Sequence, residues 1–244
     1  MHNSCFFLFF VQKSFLTKSC FLIAVINLTT WGPLYTCPVY FFLESIQALD
    51  IIYAIDASST VSQQTFNQMK NFVLKDIKTK PISSHTRVGI VQYGSRGDLV
   101  VAPVDGTNLM SIEAILNNMK QIGGQRNVRV AVEFLNNVIS NPSRTRPDSK
   151  KIVVFMINGP SLHLNRPWNA NDIQYTRRLL QSSADEVVIV AMNNNVRETD
   201  FSSLATIGGG YFVFNPYDIS SISITLANII AHLSGMEIVV AVYD

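Results

Sequence analysis

Between Leu49 and Leu233, short runs of β-branched and other apolar residues alternate with longer stretches in which apolar residues recur at every third or fourth position. Continuous apolar runs of strand length fit strands covered on both faces, and the wider spacing fits helices that bury one stripe. The alternation predicts a parallel sheet with helices on both sides. The strand-like runs are Leu49–Ile55, Val88–Tyr93, Leu99–Val104, Lys151–Ile157, Glu186–Met192 and Tyr211–Phe214. Only Gly94–Asp98 separates the second from the third, too few residues for a crossover, so these two form an antiparallel hairpin with Leu99–Val104 at the edge. Lys151–Ile157 and Glu186–Met192 are the most continuously apolar and are assigned to the middle of the sheet.

The first helix is expected over Ser62–Lys78, with Phe66, Met69, Val73 and Ile77 buried, Ser62 as cap and Pro81 as stop. Leu109, Ile112, Leu116 and Met119 mark a second helix. A third starts near Asn127, turns Ala131, Phe134, Leu135 and Val138 inward, and ends at Asn141-Pro142. Ile173–Ser182 and Thr199–Ile207 supply two more, and Ile219, Ile222, Leu226, Ile229, Ile230 and Leu233 form the face of a closing helix stopped by Gly235. The fold class is therefore α/β, a doubly wound, mostly parallel six-stranded sheet with one antiparallel edge strand. The expected organisation is a leader over residues 1–47, one domain over 48–235, and a strand-prone tail over 236–244.

In the leader, Lys13 and Lys18 precede the apolar run Cys20–Leu28, as in a secretory signal. A signal anchor is the alternative. Trp31–Leu43 stays aromatic without a small-residue cleavage pattern, which leaves open that the stretch is no leader at all. The expectation is secretion into the extracellular matrix, with a single-pass anchored form, and hence membrane contact, only if the leader stays uncleaved. Cys5, Cys20 and Cys37 all fall here, so the domain has no thiol for catalysis, metal capture or a disulfide. The one N-glycosylation triplet, Asn27-Leu28-Thr29, lies in the same stretch.

Size and charge narrow the function. A chain of 244 residues can bury one sizeable core. Its net charge of +2 comes from basic residues scattered among acidic ones, which is no electrostatic footprint for nucleic acid. There is no Gly-x-Ser-x-Gly elbow, no phosphate loop and no dinucleotide glycine pattern after the first strand, and Gly208-Gly209-Gly210 precedes a strand where phosphate chemistry needs a helix. No enzyme is expected. His85, His163 and His232 lack metal-ligand spacing.

The first strand runs into Asp56-Ala57-Ser58-Ser59-Thr60, a carboxylate and three hydroxyls at the carboxyl edge of the sheet, where ligands of such folds bind. Oxygen donors suit Mg²⁺, Mn²⁺ or Ca²⁺. Together with Thr86–Tyr93, the Gly123-Gly124 turn and Lys151–Gly159, the pattern Asp56-x-Ser58-x-Thr60 resembles the von Willebrand factor type A domain over about Ala48–Gly235, similar to the A domains of fibril-associated collagens and matrilins. The resemblance implies a metal-ion-dependent adhesion site completed by a Thr after the paired glycines and an Asp at the end of the central strand. This chain has Arg126 and Asn158 at those places. One carboxylate lost and one guanidinium gained shift the local charge by about two units, so Arg126 is expected to pair with Asp56 in place of a metal. No cofactor is expected, with weak Mg²⁺ binding at Asp56, Ser58 and Thr60 as the fallback. Ser58 and Thr60 have capping of free amides as an alternative role.

The expected partner-binding face comprises Asp56, Ser58, Thr60, Arg126, Asn158 and Trp168, the last being either an aromatic contact or a loop anchor. Arg96-Gly97-Asp98 is the tripeptide of many integrin ligands, placed at a hairpin where it also reads as an ordinary turn. The resulting expectation is a non-catalytic extracellular adhesion module that binds a matrix or cell-surface protein and no nucleic acid. The alternatives are an inert assembly module of a larger matrix protein or a weakly metal-dependent adhesion domain.

Overall fold

Leu49–Asp56 (β1) is buried at every position, a state that requires strands on both edges and helices on both faces. A computed structural model describes residues 7–10, 47–160, 162–163, 166–215, 220–234 and 238–241. Compactness divides the chain into two units, residues 48–230 and residues 1–47 with 231–244. In the first, β1 is followed by α1 (Gln63–Lys78), β2 (Thr86–Tyr93), β3 (Gly97–Val101), α2 (Leu109–Asn118), α3 (Val128–Ile139), β4 (Lys150–Ile157), α4 (Ala170–Ser183), β5 (Glu186–Ala191), β6 (Tyr211–Val213) and, up to Ile230, the helix α5 (Ser220–Ser234). Short helical turns at Pro103–Asp105 and Glu198–Leu204, and a two-residue pairing of Leu162–His163 with Arg166–Pro167, complete it. In the second unit Phe7–Phe10 pairs antiparallel with Ile238–Ala241, within the expected tail.

The strand order is β3-β2-β1-β4-β5-β6, parallel throughout except for the β2–β3 hairpin. The six-stranded, doubly wound sheet and its antiparallel edge are as the sequence predicts. The middle is not. It is occupied by β1 and β4, and β5 lies one strand from the far edge. Apolar continuity reports that both faces are covered, which holds for any strand under helices, and it does not report rank within the sheet. The edge strand also starts earlier than predicted, at Gly97, and stops at Val101 because Pro103 opens a helical turn.

Local chemistry sets the helix ends. Ser62, Asn108, Asn127 and Asn169 each accept a hydrogen bond from a backbone N–H in the first turn of α1, α2, α3 and α4, and Asp172 closes a reciprocal capping box with Asn169. Helix α3 stops at Ile139, just ahead of Asn141-Pro142. Its residues Val128, Ala131, Val132, Leu135 and Val138 pack with Ile52, Ala54, Val153 and Phe155 of the sheet. On the opposite face the hydroxyl of Tyr53 donates to Asp76 of α1 at 2.5 Å, and Asp76 also receives Lys80 and Ser223 of α5. No helix among the described residues is long and apolar enough to cross a membrane. Cys5, Cys20, Cys37, the signal-like run, Ile219 and Gly235 lie outside the described residues.

A second ionic contact sits at the opening of β1. Asp50 is fully buried and receives Arg146 Nε at 3.0 Å, Arg146 Nη2 at 2.5 Å and Ser149 Oγ at 2.6 Å. Removing one partner of such a pair strands a charge in a low-dielectric interior. Arg146→Ala is expected to lower unfolding free energy by about 3–5 kcal/mol, measured by urea denaturation.

Candidate functional site

The switch point of the sheet lies between β1 and β4, because the chain winds outward from them in opposite directions. The carboxyl ends of these strands carry Asp56 and Asn158. Asp56 is completely buried, and both of its oxygens are engaged. Oδ1 accepts from the Ser58 hydroxyl at 2.7 Å and from the Ser58 N–H at 3.1 Å. Oδ2 accepts from Arg126 Nε and from the Asn158 N–H, the latter at 3.4 Å. Since Ser58 Oγ–H is committed to Asp56, Thr60 Oγ1 is the donor in its 2.9 Å contact with Ser58.

Arg126 reaches Asp56 from the segment between the paired glycines and α3. Its side chain is 7% exposed, and Nη1 donates to the Pro160 carbonyl at 3.1 Å. Gly123 and Gly124 have φ of +73° and +75°, a left-handed conformation costly for residues with a Cβ, and they fold the segment back over the first loop. There Gly123 N–H donates to Ala57 O, and the Gly124 carbonyl accepts from both the N–H and the hydroxyl of Ser59. A side chain on Gly159, at φ +143°, would be strained and would begin 2.7 Å from Arg126 Nη1, so a substitution there would push the guanidinium from its place.

Three of the residues read from the sequence, Asp56, Ser58 and Arg126, are thus buried within one hydrogen-bonded cluster, and Thr60 extends it to the surface. Asn158 joins through its backbone, whereas its side-chain oxygen accepts from Asn193 Nδ2 at 2.6 Å. Asn193 was not singled out in the sequence; its place just past the end of β5 on the ligand edge was the available signal. Gln121 was likewise missed. It donates to the carbonyls of Ser58 and Val61, pinning the first loop. Trp168 stands apart, half-buried with its ring 5.6 Å from that of Phe201 and packed on the core. Arg96 occupies the hairpin turn, but Gly97 and Asp98 are strand residues: Gly97 backs onto the Phe134 ring and Asp98 accepts from Gln92 at 2.9 Å. Among the described residues, those of this edge that face solvent include Ser59, Thr60, Ser95, Arg96, Gly124, Gln125, Pro160, Asn194 and Asn195. Among the described residues no three His, Cys, Asp or Glu side chains gather as metal ligands.

The family model of the von Willebrand factor type A domain matches residues 50–228. The chain belongs to this family. Among curated relatives, the A domain here is 28% identical over 179 residues to the collagen alpha-1(VI) chain of Gallus gallus, a match covering 71% of this chain and 17% of that one. It is 25% identical over 155 residues to von Willebrand factor A domain-containing protein 2 of Xenopus laevis, covering 63% and 19%. The chain therefore spans less than a fifth of these relatives' length. Among solved structures, proximal thread matrix protein 1 of the mussel byssus superposes with a TM-score of 0.61 at 21% identity, over 76% of this chain and 47% of that one. A form of that protein has a zinc-occupied MIDAS motif, with a TM-score of 0.61 at 20% identity. These structural likenesses bear on the fold.

Next to the site, the carbonyl of Tyr93 accepts from the Ala57 N–H, and its hydroxyl donates to the Met156 carbonyl at 2.8 Å. Burial, then the charge of Asp56, pushes the Tyr93 phenol well above its ordinary range, and burial with Asp76 does the same to Tyr53. In both cases the unfolded chain ionises first as pH rises, so stability is complete below the ordinary tyrosine pKa and falls above it. Denaturant titrations at increasing alkalinity are expected to lose about 1.4 kcal/mol per pH unit for each of these phenols above pH ~10. Ultraviolet absorbance should show the two ionising only with unfolding.

Proposed function

We propose that this A domain is a protein-binding module of the extracellular matrix whose ligand edge is held together by an internal cation, Arg126, and works without a metal. The observation that carries this reading is the Arg126–Asp56 pair. Within it the carboxylate that would anchor a cation has a guanidinium on one oxygen and the Ser58 groups on the other. At ~4 Å and an effective dielectric of about 20, a guanidinium opposes a dication by about 8 kcal/mol, an upper bound. The hydroxyls of Ser58 and Thr60 bring no charge to offset it. The residues present do not fit a divalent cation.

Binding then rests on the solvent-facing groups around this framework, Ser59, Thr60, Arg96 and Gln125, with Asp56, Ser58 and Arg126 fixing their positions. The relatives named collagen VI support a matrix setting and a protein partner. The one carboxylate of the site is buried with both oxygens committed, one to Arg126 and one to Ser58, which supports a framework role for it. The assembly-module alternative differs in leaving this face without a partner.

Two experiments separate the readings. Retention of partner proteins from a matrix extract by the immobilised domain is expected to be unchanged by EDTA and to fall about tenfold or more with Thr60→Arg at unaltered melting temperature. Loss with EDTA refutes the metal-free reading, and indifference to Thr60→Arg and to Gln125→Arg favours the assembly module. Arg126→Thr combined with Asn158→Asp should create Mg²⁺ uptake, visible by calorimetry, that the unaltered chain lacks.

A further inference from the structure

We propose that Asn158 is a site of spontaneous deamidation, and that Arg126 promotes it. Asn158-Gly159 is the single Asn-Gly pair in the chain, and it stands where β4 ends at the ligand edge. In this dipeptide the glycine nitrogen attacks the side-chain amide carbon with no Cβ in the way. Asn158 is half-buried, Gly159 after it is buried and Pro160 beyond is exposed, so water reaches the Asn158 side chain from the rim of the edge. Its amide oxygen is held by Asn193 Nδ2 at 2.6 Å, a donor aimed at the atom that gains negative charge during attack. The Arg126 guanidinium lies against Gly159, with Nη1 2.7 Å from where a Cβ would stand, which sets a cationic N–H donor beside the residue that supplies the attacking nitrogen.

The step needs only water. The bond from Gly159 N to Asn158 Cγ forms, the Cγ–Nδ2 bond breaks, and ammonia leaves carrying the proton given up by Gly159. Water then adds to the cyclic imide. Opening at Cγ restores the Gly159 amide and leaves an aspartyl residue, while opening at the main-chain carbonyl reroutes the backbone through the side chain. Either product places a carboxylate beside the neutral Arg126–Asp56 pair. The ligand edge thereby changes its local charge from neutral to negative as the protein ages. The site is the one assigned to partner binding above, but the modification is read chemically and does not depend on that assignment.

The test is incubation of the folded chain in mildly alkaline buffer, followed by peptide mass spectrometry and isoelectric focusing. Asn158 is expected to convert ahead of every other asparagine, in both product forms, with an acidic isoform growing in step. If Asn158 keeps its amide in the folded chain while the urea-unfolded chain converts it, the proposal is overturned. The charge-neutral double variant Arg126→Met with Asp56→Asn, which leaves no buried charge unpaired, should slow conversion about tenfold, the rate equivalent of a single hydrogen bond. An unchanged rate in that variant, once circular dichroism shows it folded, removes Arg126 from the mechanism. Chelator-sensitive partner binding would sink the metal-free reading and leave this result standing.

Discussion

One helix is fastened to one strand by an arginine at each end, and most of the ligand edge depends on it. Asp50 and Asp56 lie six residues apart on β1 and therefore face the same side of the sheet, the side covered by α3. Arg126, just before α3, meets Asp56; Arg146, just after it, meets Asp50. The helix runs antiparallel to the strand between two buried ion pairs, with Ile52, Ala54, Ala131 and Leu135 packed between them. Apolar packing alone would tolerate a shift of the helix along its axis. Two charges that must each find a partner in a low-dielectric interior do not, because a displaced helix would leave carboxylates unpaired.

The pair at the carboxyl end of β1, Arg126 with Asp56, lies at the candidate site. In a doubly wound sheet the edge between the two middle strands is a natural crevice, and a carboxylate buried there needs a counter-charge from somewhere. Here the chain supplies it covalently. Gly159 leaves space for the guanidinium, and the left-handed Gly123-Gly124 segment carries Arg126 across the first loop, so the glycines and the arginine form one device. In the function proposed above, the arrangement trades an exchangeable ion for a fixed one. Its consequence is an edge whose order is set on folding and whose exposed groups, Ser59, Thr60 and Gln125, stand on a framework already neutral and satisfied.

Several features of this edge were legible in the residues. Asp56 and Ser58 followed an apolar run broken only by Asp50, and the paired glycines announced a turn that only glycine makes comfortably. Asn193 and Gln121 were not legible, because their roles arise from loops distant in sequence meeting at one edge, and neither belongs to a spaced motif. Trp168 read equally well as a contact or an anchor; its packing on Phe201 depends on a helical turn some thirty residues further on. The tripeptide Arg96-Gly97-Asp98 looked like a loop in the letters, yet ladder pairing takes Gly97 and Asp98 into the edge strand.

Periodicity and local chemistry by themselves determined the elements, their caps and the class of the sheet, since burial on one or two faces and the satisfaction of helix-end amides are properties of neighbouring residues. They also placed a carboxylate and hydroxyls on the ligand edge. The change of charge at Arg126 also led to the expectation of its pairing with Asp56. Only the tertiary structure decided that β1, not β5, shares the middle with β4, that Gly159 lies against the Arg126 guanidinium, and that Asp50 has Arg146 as its counterpart. Those outcomes rest on contacts between residues far apart in the chain, where long-range charge neutralisation and packing select one arrangement among several that the local pattern allows equally.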